Sequence, residues 1–328
     1  MAVTLEQANL EQRSASRRDS RRPAGPRPVR GGQSPLARRQ RRIFGPFLAI
    51  PLALYLVLFI GPTLYSVYAA FTNWDGINTP TWRGTDNFTA LFDDPLFLES
   101  FWNTLLILVV VGIGIFVLAF SFMLLLRDMK GKGFVRGVIF LPHIVSPIVL
   151  AIFWGFLLRH DGLLNALIVK FGGEPVAWIG PDSAFLMIMI AMVWISTGFY
   201  VAILMAGVDR IPGYFYEDAS LAGASAWQKL RHITLPLSWD VIGVAAVLWT
   251  ISSVKVFEFI YAFGASQGQM PPAYEWNAAV FVYGVTFGGA TPQYRFGYAC
   301  ASALVMLLLV TGMVALLRRA MRRDAVQF

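Results

Sequence analysis

Thr104-Leu-Leu-Ile-Leu-Val-Val-Val-Gly-Ile-Gly-Ile-Phe-Val-Leu-Ala-Phe-Ser-Phe-Met-Leu-Leu-Leu126 runs for 23 residues without a charge. A helix rises about 1.5 Å per residue, so about 20 such residues cross the roughly 30 Å of bilayer hydrocarbon. A helix of a soluble protein needs an apolar stripe, whereas this one is apolar all round. Working outward, five further runs qualify or nearly qualify: Phe44–Phe71, Val135–Leu158, Phe185–Val208, Leu237–Ala262 and Tyr298–Leu317. The fold class read from them is all-α, a polytopic membrane protein with six transmembrane helices. Proline and glycine interrupt several runs (Pro51, Pro62, Gly112, Gly114, Pro142, Pro147), which membrane helices tolerate when neighbours satisfy the freed backbone groups.

Composition agrees. Of 328 residues 56% are hydrophobic, and the mean hydropathy is +0.59, more apolar than one soluble core can hide. The first 42 residues hold 11 arginines against Glu6, Glu11 and Asp19, a net of +8 that equals the formal charge of the whole chain. That segment is rich in Pro, Gly, Ser and Arg and has no interleaved aromatics, so it reads as a disordered basic cytoplasmic tail near an anionic membrane surface, not as a nucleic-acid binder. The apolar run after it is too long for a signal core and lacks a cleavage site close behind it, so it is expected to be a retained anchor. The expected organisation is a tail at 1–42, a six-helix transmembrane domain at 43–320 with a cytoplasmic loop at 209–236, and a short cytoplasmic tail at 321–328.

The connections divide by charge. Arg38 to Arg42, the group Arg127, Lys130, Lys132 and Arg136, then Arg210 with Lys229 and Arg231, and the closing Arg318, Arg319, Arg322 and Arg323 alternate with the other loops. Positive loops stay inside, so both termini are expected to be cytoplasmic. The loop 72–103 carries Asp75, Asp86, Asp93, Asp94 and Glu99 against Arg83, with Trp74, Trp82 and Trp102 near its ends, as an outer loop with an interfacial aromatic belt should.

Chemistry of its own is hard to find in the chain. Cys300 is the single cysteine, and His143, His160 and His232 share no ligand-like spacing, so neither a disulfide nor a metal site is expected. No Ser/His/Asp or Cys/His grouping and no phosphate-binding Gly-x-x-x-x-Gly-Lys-Ser/Thr loop occurs, so no catalytic residue is assigned and any nucleotide must be bound by another chain.

The loop between the fourth and fifth spans is too patterned for a connector: Ile211-Pro-Gly-Tyr-Phe-Tyr-Glu217-Asp-Ala219-Ser-Leu-Ala-Gly223-Ala-Ser-Ala-Trp227-Gln-Lys-Leu-Arg-His-Ile233-Thr-Leu235-Pro236. Pro212 suits a first helical turn, Glu217 and Asp218 lie near its positive amino end, Gly223 can end that helix, and Ser225 can cap a second. The reading is a helix, a turn and a helix standing out of the membrane. Its apolar residues Leu221, Trp227, Leu230 and Ile233 lack a core of their own and are expected to dock into a partner's groove.

At these residues the chain resembles the permease subunits of binding-protein-dependent ATP-binding-cassette importers. Their cytoplasmic signature, Glu-Ala-Ala, three residues, Gly, nine residues, Ile-x-Leu-Pro, is matched by Glu217, Ala219, Gly223, Ile233, Leu235 and Pro236, and departed from at Asp218 and Ala222. Further likeness to the carbohydrate-uptake branch lies in Asn87-Phe88, Asp94-Pro95, Asn103-Thr104, Phe140-Leu-Pro142, Gly162-Leu-Leu-Asn165, Trp194, Ile211-Pro212, Lys255-x-Phe257-Glu258 and Gly297-Tyr298, over roughly 43–320. The resemblance implies the six-helix permease fold of such importers, a place in the bacterial cell membrane, and no enzymatic activity in this chain. It implies four kinds of partner: a second homologous permease, a cytoplasmic ATPase dimer that binds ATP and Mg, an extracytoplasmic sugar-binding protein, and the sugar or oligosaccharide carried. Glu217 is expected to couple to the ATPase. Asn103, Trp194, Lys255 and Glu258 are expected to line the translocation path, the last two because charges within a span usually face an interior or a wet cavity. They stand three apart and can pair with each other instead. A permease for another solute and a stand-alone secondary transporter are the alternatives, and the sequence does not say which sugar is carried.

Overall fold

The computed structural model describes residues 46–127, 129–264, 270–288 and 293–321. The basic tail at 1–42 and nearly all of the closing tail lie outside the described residues. Among the described residues five helical segments are long and apolar enough to span: Pro46–Ala69, Pro95–Leu126, Pro147–Lys170, Ala184–Val208 and Phe296–Ala320. The pair Ala226–Leu237 and Trp239–Val254, bent by 76°, brings the number to six. The expected number of spans stands, with three changes of detail.

We label the helices α1 (Pro46–Ala69), α2 (Asp86–Phe92), α3 (Pro95–Leu126), α4 (Lys132–Ile144), α5 (Pro147–Leu158), α6 (Leu163–Lys170), α7 (Ala184–Val208), α8 (Tyr214–Leu221), α9 (Ala226–Leu237), α10 (Trp239–Val254), α11 (Glu258–Gly264), α12 (Ala278–Thr286) and α13 (Phe296–Ala320). A two-stranded hairpin, β1 (Thr72–Asn73) and β2 (Thr81–Trp82), pairs Thr72 with Trp82 and Asn73 with Thr81. The chain divides into two units at Pro62/Thr63. In the first, the helix has a widened turn at Leu56–Ile60, Tyr55 stacks on Phe59 with centroids 5.5 Å apart, and large side chains such as Phe47 and Val57 are exposed.

In the second unit, α3 begins at Pro95, earlier than the expected Thr104, because Asp94 caps it: the carboxylate accepts the Leu96 N–H at 2.9 Å and proline takes the first helical position. The run Val135–Leu158 is not one helix. Ser146 precedes Pro147, and proline drives its predecessor out of the helical region, so α4 ends at Ile144 and α5 starts afresh. The run Leu237–Ala262 is likewise broken, at residues 255–257. The acid-rich loop 72–103 folds rather than dangles: the Asn87 amide donates to the Ala70 and Thr72 carbonyls at 2.9 and 2.8 Å.

The main core gathers Ile107, Val111, Ile115 and Ala119 of α3, Ile188, Ala191, Val201 and Leu204 of α7, and Ala245 and Trp249 of α10. A widened turn at Ile107–Val111 frees a backbone acceptor, and the Trp249 indole donates to the Leu108 carbonyl at 2.8 Å. A second cluster, with Leu91, Phe97, Phe281, Tyr298 and Ala299, holds α2, the start of α3 and α12 on α13. At the other end, Asp209 after α7 accepts from Arg136 at 2.9 Å and lies 3.5 Å from Lys132, fastening the start of α4. Burial tends to raise the Asp209 pKa, but the two cations prevail and hold it below the usual carboxylate value.

Helices α4 and α7 cross backbone to backbone at Gly198, where a methyl group would collide with the Ile139 carbonyl and Phe140 Cα. Small residues at such crossings are what lets membrane helices approach. Gly198→Val is expected to cost about 3 kcal/mol, since no flexible side chain is there to yield. The check is the melting temperature of the purified chain in detergent, with Gly155→Ala, whose added methyl meets open space, as the unchanged control.

Candidate functional site

The signature loop is built by two local motifs. Helix α8 ends in a Schellman turn: the Ala224 N–H reaches back to the Ala219 carbonyl at 2.9 Å, and the Gly223 N–H to that of Ser220 at 3.0 Å. The turn needs a left-handed residue, and Gly223 supplies it at φ +76°, where another residue would cost about 1–2 kcal/mol. Ser225 then caps α9 in a full capping box, its hydroxyl accepting the Gln228 N–H at 3.3 Å and the Gln228 side chain accepting the Ser225 N–H at 2.7 Å. The end of α8 and the start of α9 are thus each set by contacts within five residues.

Of the apolar residues expected to project, Leu221 and Trp227 do so, 89% and 62% exposed. Leu230 does not: it is buried against the helix bundle, and Ile233 is half-buried. Glu217 is exposed in the first turn of α8. Ala219, Gly223 and Ile233 line one shallow hollow between the two short helices, with Gln228, Lys229 and His232. Pro236 cannot donate an N–H, and the turn ahead of it, Leu230–Thr234, is widened; the chain then bends at Ser238 into α10.

The two helix breaks meet at a second place. A cavity of about 410 Å³ is lined by His143, Val145 and Pro147 at the α4/α5 break, Met192, Ile195 and Ser196 of α7, and Ile251 to Phe259 around the break that follows α10. Lys255 and Glu258 are both in this lining and exposed to it, and among the described residues no ion pair joins them. Irregular backbone at membrane depth is stable only where protein or a wet cavity satisfies it, and discontinuous helices mark substrate sites in transporters. His143, Ser196 and Ser252 were not singled out from sequence. The Ser146-Pro147 pair was the signal for the first, and nothing local marks the two serines.

Asn103 and Trp194 stand outside that lining. Asn103 is buried, and its amide donates to the Tyr274 and Trp276 carbonyls at 3.2 and 2.9 Å, anchoring the segment before α12. Trp194 lies edge-on to Trp154, centroids 5.9 Å apart. Between the two anchored carbonyls sits Glu275, 1% exposed, whose Oε2 finds no hydrogen-bond partner among the described residues. Burial pushes its pKa up to about 7.

Three known proteins are similar to this chain. The chain is 31% identical over 277 residues to a probable ABC transporter permease protein of Pyrococcus horikoshii, covering 78% of this chain and 92% of that one. It is 27% identical over 301 residues to the diacetylchitobiose uptake system permease protein NgcF of Streptomyces coelicolor, covering 86% and 84%. A solved bacterial ABC transporter involved in import of the acidic polysaccharide alginate superposes with a TM-score of 0.75 at 22% identity, covering 88% of this chain and 98% of that one. No family model matches the chain.

The buried carboxyl generates a pH prediction. Its folded pKa lies above the ordinary 4.5, so its contribution to stability is complete below pH 4.5 and is lost as pH rises through about 7. Melting temperatures at pH 5 and pH 8 should therefore fall less for Glu275→Gln than for the wild type.

Proposed function

Because this chain belongs to the permease proteins of ATP-binding-cassette transport systems, we propose that it is one of the two permease subunits of an importer for a sugar or oligosaccharide. Its relatives are transport permeases and its fold is theirs. It is a multi-pass membrane protein, and both termini face the cytoplasm in this reading, since Arg127, Lys132, Arg136, Lys229 and Arg231 share the end that carries the signature loop.

The observation that carries the proposal is the signature loop itself, a locally braced pair of short helices that presents Leu221 and Trp227 to solvent with no cover of its own. A partner with a complementary cleft gains by burying them, at about 25 cal/mol for each Å² of apolar surface removed from water. That partner is a cytoplasmic ATPase dimer, which binds ATP and Mg. Glu217, Ala219, Gly223, Ile233, Leu235 and Pro236 form or brace the coupling surface. When the ATPase closes, the loop is displaced and the spans alternate between inward and outward access.

The substrate path runs past the cavity at the two helix breaks. Its polar groups His143, Ser196, Ser252, Lys255 and Glu258 and its rings Phe257 and Phe259 suit a polyhydroxyl ligand, which needs hydrogen bonds around its edge and apolar stacking on its face. Asn103 and Trp194, outside that lining, act on the path at one remove, Asn103 by anchoring the segment before α12 and Trp194 by packing on Trp154. An extracytoplasmic binding protein delivers the sugar, and the diacetylchitobiose name of one relative favours an oligosaccharide.

The test is co-purification of the chain with the products of its neighbouring genes. The wild type is expected to bring down an ATPase subunit, and Glu217→Lys or Gly223→Trp to lose at least tenfold of it while the chain still elutes as a folded species. A wild-type chain that retains its fold and brings down no ATPase would sink the proposal.

A further inference from the structure

One residue of the loop is tied to more of the molecule than the signature accounts for. Tyr216 precedes Glu217, is 9% exposed, and faces inward rather than toward the partner surface. The Arg127 guanidinium, at the inner end of α3, lies over its ring at 3.7 Å from the centroid. The Tyr216 hydroxyl meets the Thr234 hydroxyl at 3.0 Å. The Thr234 hydroxyl also lies 3.3 Å from the Lys229 carbonyl. The Thr234 carbonyl in turn accepts from Ser238 at 2.5 Å, at the bend into α10. Ser220 bonds the Tyr216 carbonyl at 2.7 Å and receives Lys229 at 2.6 Å, which closes the ring of contacts on the loop side.

We infer that Tyr216 is the joint through which displacement of the loop reaches two spans together, α3 through Arg127 and α10 through Thr234. This rests on the coupling role proposed above. The two connections differ in kind. A cation over a ring resists separation along the ring normal and slides easily in its plane, whereas the hydroxyl pair is directional. A push on α8 is therefore passed stiffly to the bend before α10 and loosely to α3. The helix that bears Trp249 and leads to the cavity lining is driven, and α3 follows. Tyr216 is a positioning residue in this scheme: it touches neither nucleotide nor substrate.

The experiment uses the assembled complex of both permeases and the ATPase in nanodiscs, with Cys300→Ser and a reporter cysteine at Ser196→Cys in the cavity lining. The readout is the rate of maleimide labelling before and after trapping with MgATP and vanadate. With Tyr216 intact, trapping should change the rate. Tyr216→Phe keeps the ring under Arg127 and removes the hydroxyl, and should shrink that change fivefold or more while the ATPase remains bound and hydrolyses ATP. Thr234→Val should do the same, and the double variant should be no worse than either single. An undiminished change in Tyr216→Phe overturns the joint and leaves the coupling loop standing. Loss of bound ATPase in Tyr216→Phe also overturns it, by making Tyr216 part of the docking surface. No change on trapping even with Tyr216 intact counts against the coupling loop itself and takes the joint with it.

Discussion

Hydrocarbon offers no hydrogen-bond partner, and several departures from regular helix among the described residues answer to that constraint. The widened turn of α3 leaves the Leu108 carbonyl to the Trp249 indole. The break after α10 leaves the Val256 carbonyl to Asn277 at 2.6 Å. The segment leading to α12 hands the Tyr274 and Trp276 carbonyls to Asn103 and the Pro271 carbonyl to the Trp276 indole. Side-chain amides and indoles thus act as backbone partners at these three places. They also fix which helices must lie side by side, since each such bond joins segments distant in sequence or turns a segment back on itself.

The loop at Ile211 to Pro236 obeys the opposite rule. Water can satisfy much of its backbone, so its turns are set by contacts within a few residues: the Schellman turn at Gly223, the box at Ser225 and Gln228, the widened turn ahead of Pro236, while Tyr216 and Leu230 fasten it to the bundle. A shape specified locally can be moved as a body without coming apart. That property suits a part that transmits displacement, whereas the spans, held by long-range packing, suit a part that has two discrete arrangements.

This division explains what the sequence discloses. The spans were legible as six runs because hydropathy sums over 20 residues and tolerates local error, yet their ends were not, because Asp94 and Ser146 set boundaries by capping and by steric conflict with proline inside runs of favourable hydropathy. The turns of the loop were legible, since its Gly and Ser signals act over three or four residues. Leu230 was misplaced outward because a short helix beside a membrane has an inner face that periodicity alone does not identify. The cavity was half legible. Charge within a span pointed to Lys255 and Glu258, but the anchoring role of Asn103 depends on carbonyls more than 170 positions away, which no local pattern encodes.

Asn277 takes part in two of these arrangements at once. Its nitrogen holds the Val256 carbonyl in the cavity wall, and its oxygen caps α12 by accepting the Val280 N–H at 3.0 Å. One amide, with both ends committed and no freedom to flip, therefore locks the rim of the cavity to a helix above it. The wall at Val256 cannot shift alone: moving that carbonyl strains the amide that caps α12, so this stretch of the cavity is pinned to the first turn of a helix that is not part of its lining.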